Sequence, residues 1–230
     1  MKYMAEFHNT FGTREVFRIQ DVEVFLRARR APLAYAHTLI HRLRRKGDLR
    51  RVTRGVYTFR PEGEVVGFAF SPFYYGLQDA LSIRNLWEQE TNSLIITPRN
   101  VRGGVRTLGG ARVIVHRISR RAFFGYDLVK TGASLYLPVS DIEKTLIDFF
   151  YFREPLSAKL LRSLYRRCRP AILRAYLRRM PVRTRLAVAR AINDRAAHRK
   201  DLIEWVQTGT MDMDLKDLKK MRRHRGAHAR

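Results

Sequence analysis

The residues from Leu33 to Phe59, LAYAHTLIHRLRRKGDLRRVTRGVYTF, constrain the fold of this chain more than any other stretch. Apolar side chains at Leu33, Ala36, Leu39, Ile40 and Leu43 recur at helical spacing, which predicts a helix with one buried stripe. Gly47, directly after Lys46, stands where such a helix needs a left-handed cap. Two short β-prone runs follow, Leu49–Val52 and Val56–Phe59, joined by Thr53-Arg54-Gly55, and Gly55 suits a tight hairpin. Helix, glycine, basic strand, turn and strand make up the second half of a winged helix-turn-helix. In that arrangement the helix enters the major groove of DNA and the hairpin is the wing.

The polar side of this helix fits the same reading. Opposite the apolar stripe lie Ala34, Thr38, His41 and Arg45, flanked by Tyr35, His37 and Arg42. Thr38 and His41 are expected to face base edges, Arg42 and Arg45 to contact bases or phosphates, and Tyr35 and Lys46, towards the two ends of the helix, to contact DNA as well. Arg50, Arg51 and Arg54 are expected to hold phosphate on the wing. The competing reading is an ordinary solvated helix face, and the charge of the whole chain argues against it.

That charge is +25 over 230 residues, a surplus that points to a polyanionic partner, most often nucleic acid. It is unevenly placed: Lys and Arg outnumber acids 14 to 5 over residues 1–61, 10 to 9 over 62–152, and 22 to 7 over 153–230. Two basic segments flank a nearly neutral middle, which suggests that the middle does something other than bind phosphates. A hydrophobic content of 45% can bury a core, so the chain is not disordered. Its single cysteine, Cys168, excludes an internal disulfide framework and fits a reducing cytoplasm. No apolar run approaches the length of a membrane span, and the N-terminus lacks the apolar core of a signal peptide.

Taken in order, Tyr3, Met4, Phe7 and Phe11 predict a first helix ended by Gly12. Val16-Phe17 predicts a short edge strand, and Val22, Phe25 and Leu26 a second helix with Asp21 near its start. Pro32 suits the first position of the third helix. Pro61 to Gly67 reads as a joint. Ser71 and Pro72 are expected to cap and open a helix carrying Tyr74, Leu77, Leu81 and Leu86. Ser93–Thr97 reads as a buried strand, the glycine-rich VRGGVRTLGG as turns, and Arg112–Ile118 as another strand. Phe124–Val129 and Ser134–Val139 read as a hairpin about Thr131-Gly132. Ser140 followed by Glu143 predicts a capping box for a helix buried through Ile142, Leu146, Phe149 and Phe150.

From Pro155 the pattern is helical, with interruptions at Pro170 and Pro181, and the last residues read as a flexible basic tail. The expected fold class is α+β: a winged helix-turn-helix over 1–61, a small central α/β domain with a mostly antiparallel sheet over 62–152, a basic helical segment over 153–210, and a tail over 211–230.

A basic winged helix ending in RKGDLRRVTRGVYTF, then YYGLQDAL, a strand ending in Thr97-Pro98-Arg99, and SDIEKTLIDFF resembles the AbiE-type antitoxins, regulators of abortive-infection (viral defence) systems, over roughly residues 14–152. The resemblance implies an antitoxin whose winged helix binds a promoter inverted repeat in double-stranded DNA and represses its own operon. It also implies a neighbouring toxin of the nucleotidyltransferase type. Charge and periodicity by themselves imply only nucleic-acid binding by a winged helix.

Enzymatic readings fare less well. Asp141, Glu143 and Lys144 lack the spacing of a metal-dependent nuclease, since Glu143 and Lys144 are adjacent and point about 100° apart on a helix. No Lys and Ser/Thr follow the glycines of VRGGVRTLGG, as a phosphate loop requires. His37 and His41 have no third metal ligand nearby, and Asp127 and Asp148 no visible partner. No metal, cofactor or catalytic residue is therefore expected. A nucleic-acid-processing enzyme and a non-specific nucleic-acid-binding protein remain the alternatives.

Overall fold

The computed structural model describes residues 3–61, 65–87, 92–108, 111–131 and 135–196. The chain divides into two compact units, Met1–Arg167 and Cys168–Arg230. The expected turn at Gly132, the glycines 109–110, most of the joint after Pro61 and the basic tail over 211–230 lie outside the described residues.

The first unit opens with three helices, α1 (Met4–Phe11), α2 (Ile19–Arg27) and α3 (Tyr35–Lys46), and a three-stranded antiparallel sheet ordered β1-β3-β2. Its strands are β1 (Phe17–Arg18), β2 (Arg50–Thr53) and β3 (Val56–Thr58). Each helix contributes one apolar stripe: Phe7 and Phe11 from α1, Val22, Phe25 and Leu26 from α2, and Ala36, Leu39, Ile40 and Leu43 from α3. All are at most 5% exposed. Burying a Leu, Ile, Val or Phe of this kind contributes about 1.5–3 kcal/mol, so the stripes suffice to fix which face of α3 points outward. Phenylalanine rings knit α1 to α2, with centroids 5.6 Å apart for Phe7 and Phe25 and 5.7 Å for Phe11 and Phe25.

Two local expectations need correction here. Leu33 is 40% exposed and does not belong to the buried stripe. Pro32 precedes α3 rather than opening it: the Tyr35 and Ala36 amides donate to the carbonyls of Pro32 and Leu33, forming a tight turn that leads into the helix.

The central part of the unit is a six-stranded mixed sheet ordered β6-β7-β5-β4-β9-β8. The strands are β4 (Tyr74–Tyr75), β5 (Ser93–Thr97), β6 (Gly104–Leu108), β7 (Ala111–Arg117), β8 (Tyr126–Lys130) and β9 (Tyr136–Ser140). Three of the five pairings are antiparallel, while β5 with β7 and β4 with β9 run parallel. With the helices, this makes the unit α+β.

The helix expected from Ser71 begins only at Leu77 (α4, Leu77–Ile83), because Tyr74 and Tyr75 enter the sheet between β5 and β9. Gly76 makes that approach possible, since a Cβ there would collide with the Ile96 side chain. The region read as turns contains a strand, β6, hairpin-paired with β7.

Helix α5 (Ile142–Phe152) packs on this sheet through Tyr74, and its cap also differs from expectation. The cap is Asp141, whose carboxylate accepts the Lys144 amide at 2.7 Å. Ser140 ends β9 instead and bonds Thr145 through its hydroxyl at 2.7 Å. Helix α5 is buried along nearly its whole circumference, polar residues included, while Ile142 and Phe150 are only half-buried. Helix α6 (Ala158–Arg167) packs against α5 and belongs to the same unit.

The winged helix and the central sheet share a core. Val52 on β2 is buried with Val65, Val66 and Phe70, and Val16 and Val56 pack on the same cluster. The inner face of the wing therefore lies on the 3-10 turn Val66–Phe70. In the second unit, α7 (Pro170–Arg179) carries Pro170 at its first turn and packs with α8 (Val182–Ala196). Among the described residues no helix is long and apolar enough to cross a membrane.

Candidate nucleic-acid interface

With the stripe of α3 buried, its other face is presented to solvent. Thr38, His41, Arg42, Arg45 and Lys46 are all exposed, as are His37 and Arg44. Tyr35 differs: it is half-buried and packs against the winged-helix core, so its ring helps to seat the helix. Gly47 closes α3 in the left-handed conformation at φ 81°, its amide donating to the Arg44 carbonyl at 3.0 Å. That residue turns the chain sharply into β2 and sets the wing beside the C-terminal end of α3.

On the wing, Arg50, Arg51 and Arg54 are exposed. Arg54 and Gly55 form the hairpin tip, bracketed by the Thr53–Val56 pair, with Gly55 at φ 76°. The Gly55 carbonyl accepts the Ile19 amide at 3.0 Å, which ties the tip to the start of α2. Arg50 leans back towards the Arg60 carbonyl at 3.4 Å. Helix α2 is held at its start by Asp21, whose carboxylate accepts the Arg18 amide at 2.6 Å.

The turn between α2 and α3 is clamped by Arg29. Its guanidinium pairs with Glu6 at 2.6 Å and lies 3.6 Å over the Phe25 ring. Arg29 is thus committed to the scaffold. Among the described residues, Arg42, Arg45, Lys46, Arg51 and Arg54 form no ion pair. Chemically, the arrangement is a helix face bearing hydroxyl, imidazole and guanidinium groups beside a cationic hairpin. It can donate to phosphates and to purine edges.

A second constellation, which the sequence reading passed over, lies in the central unit. Lys144 and Asp148, one helical turn apart on α5, form an ion pair with both side chains fully buried. The Tyr74 hydroxyl donates to Asp148 at 2.8 Å and accepts from the Lys144 ammonium at 2.9 Å. Lys144 also lies 5.3 Å from the ring centre of Tyr74 and 5.5 Å from that of Phe124. Burial pushes the Asp148 carboxyl up, and Lys144 and the Tyr74 hydrogen bond pull it back. Burial, reinforced by the Asp148 charge, drives the Tyr74 hydroxyl well above the ordinary phenol range, so it keeps its proton and donates.

The signal for this pair was present as Lys-x-x-x-Asp, but surface helices carry that spacing routinely. Asp127, the other carboxylate without a visible partner, lies 3.8 Å from Arg84. Glu143, part of the discounted nuclease spacing, is buried at 1% exposure. Among the described residues no group of acidic, histidine or cysteine side chains is arranged to hold a metal.

Compared with known families, residues 5–60 match the model described as "Transcriptional regulator, AbiEi antitoxin". The match begins within α1 and ends just past β3, so it spans the helices and the wing and stops before the central sheet. No curated protein matches the chain.

Proposed function

We propose that this protein is a DNA-binding transcriptional regulator that acts as the antitoxin of an abortive-infection system and represses its own operon. The observation that carries the reading is the outward face of α3: Thr38, His41, Arg42 and Arg45 exposed on one rigid helix beside an arginine-tipped wing. The family match over residues 5–60 supports the regulatory and antitoxin role. In this reading α3 enters the major groove of a promoter inverted repeat. Arg42 and Arg45 contact bases or phosphates, Thr38 and His41 face base edges, and Lys46, Arg50, Arg51 and Arg54 hold the backbone. Tyr35 positions α3. The toxin it neutralises is a neighbouring protein of the nucleotidyltransferase type, without the need for a stable complex between the two. The protein works in the cytoplasm and is assigned no enzymatic activity.

Gel-shift titration of the DNA upstream of the gene against random duplex tests the assignment. Wild type should prefer the upstream DNA. Arg42→Ala or Arg45→Ala should cost about 1–3 kcal/mol and relax specificity at one base pair if the side chain reads a guanine edge. Unchanged affinity in both variants would remove α3 from the groove.

A further inference from the structure

Among the described residues of 62–152, the exposed charge is mostly positive, although the segment as a whole is nearly neutral. Four of the nine acidic residues in that segment, Asp79, Asp141, Glu143 and Asp148, are buried at 8% exposure or less. Asp141 caps α5, Asp79 accepts the Leu94 amide and Asp148 pairs with Lys144, and all four, Glu143 included, are too deep to contribute much to what a partner meets. Residues 93–123 contain seven arginines and no acidic residue at all. The expectation that the middle of the chain avoids phosphates rested on a total that counts buried carboxylates as if they were on the surface.

The topology then gathers these arginines. Strands β5 and β7 are parallel, with Thr97 beside Arg117, so their C-terminal ends lie together. Arg99 follows β5, and Arg120 and Arg121 follow β7 in a 3-10 turn. Strand β6 runs antiparallel to β7 with Gly104 opposite Val115, which brings the preceding Arg102 to the same end. Arg106 lies just inside, with its guanidinium 5.9 Å from the Phe70 ring centre. Arg112, the seventh, sits at the opposite end of β7.

Arg99, Arg102, Arg117, Arg120 and Arg121 are exposed, and among the described residues none is paired with a carboxylate. Two are held in place by neutral acceptors: Arg99 donates to the Ala69 carbonyl at 3.0 Å and Arg117 to the Asn100 side chain at 2.8 Å. Glu154 also lies near this end, 3.5 Å from His116, but five exposed arginines gathered at one end of a sheet outnumber it and repel one another. Such an arrangement fits an anionic partner that supplies the missing charge.

The position of this end of the sheet identifies the partner. Arg99 and Arg106 both reach the turn Val66–Phe70, and that turn carries the inner face of the wing through Val52. The basic end is therefore continuous with the wing by way of one shared element. We propose that it is a second phosphate-binding surface, which extends contact with the backbone of double-stranded DNA beyond the wing. The proposal rests on the winged-helix reading for the placement of the DNA. What it adds is a set of sequence-independent contacts made by the central sheet.

The test uses the full chain and random-sequence duplexes of about 16 and 40 base pairs, with affinity measured by fluorescence anisotropy over a range of salt. Arg102→Gln, Arg120→Gln and Arg121→Gln are combined, since none of these side chains bonds within the sheet. On the long duplex the slope of log K against log salt should fall by about two to three units, at about 0.9 per lost phosphate contact. On the short duplex it should change less, and the corresponding lysine triple should keep the wild-type slope. If the triple variant does not melt like wild type by circular dichroism, the pair Arg120→Gln and Arg121→Gln, which lies outside the strands, should still lower the slope by about one to two units. An unchanged slope in folded variants overturns the proposal. If Arg42→Ala and Arg45→Ala weaken binding while these variants do not, the winged-helix reading stands and only the second surface falls. If wild type binds neither duplex, both fall.

Discussion

Replacing Lys144 by methionine should destabilise the first unit by about 3–5 kcal/mol, the range for breaking a buried ion pair from one side. The structure explains why the loss falls at the upper end of ordinary substitutions. Both side chains are fully buried, so the orphaned Asp148 gains no compensating water. Methionine fills nearly the same volume, which leaves little cavity cost, and the Tyr74 hydrogen bond to Asp148 survives. The loss is therefore electrostatic.

Replacing both partners, Lys144→Met with Asp148→Leu, should recover about half of it. The residual cost is about 1–3 kcal/mol for a buried Tyr74 hydroxyl left without its acceptor. Urea denaturation followed by circular dichroism, arranged as a double-mutant cycle, measures the coupling directly. The sign with pH follows from Asp148. Burial already raises its folded carboxyl, and without Lys144 the largest opposing influence is gone. A carboxyl raised on folding favours the folded state at low pH and loses that contribution as pH rises through the folded pKa. The deficit of Lys144→Met relative to wild type should therefore shrink as the solution is acidified from neutrality towards the carboxylate range. A single-variant loss under about 1 kcal/mol, or two losses that simply add, would refute this account.

Two further outcomes are expected. Gly47→Ala should lower stability by about 1–2 kcal/mol, because nothing lies within 4 Å of the added methyl and the cost is that of a left-handed backbone at φ 81°. An unchanged thermal midpoint would mean the helix end relaxes freely. Arg54→Ala should reduce the salt slope of DNA binding by roughly one unit, since its side chain projects from the wing tip. A wild-type slope would take the tip away from DNA.

Much of the winged helix was legible because its signals are local. The buried positions of α3 after Leu33, the left-handed Gly47 and the hairpin at Gly55 each follow from a few adjacent residues. The exposed face of α3 follows from the same periodicity. The central sheet was harder to read for the opposite reason. Tyr74 and Tyr75 lie between Pro72 and Gly76 in sequence, but they become a strand through neighbours about 20 and 65 residues away, Ile95 and Ile96 on one side and Val139 on the other. A helix-start signal at Ser71 cannot report such pairings. The polar core was hidden because a Lys and an Asp at helical spacing look the same whether solvated or buried. The basic end of the sheet was hidden because net charge says nothing about depth.

The seating of Val52, Val16 and Val56 on the Val66–Phe70 turn has a consequence for the chain as it is made. Synthesis delivers the N-terminus first, and the winged helix, built from near neighbours in sequence, is able to fold as it emerges. The sheet cannot close so early, because its β4–β9 pairing joins Tyr75 to Val139. Until the Val66–Phe70 turn follows it out of the ribosome, the back of the newborn wing presents Val16, Val52 and Val56 to solvent. A nascent or prematurely ended chain would thus carry a finished DNA-reading face on a sticky rear surface. The turn that follows the wing in sequence is also the element that covers its apolar back.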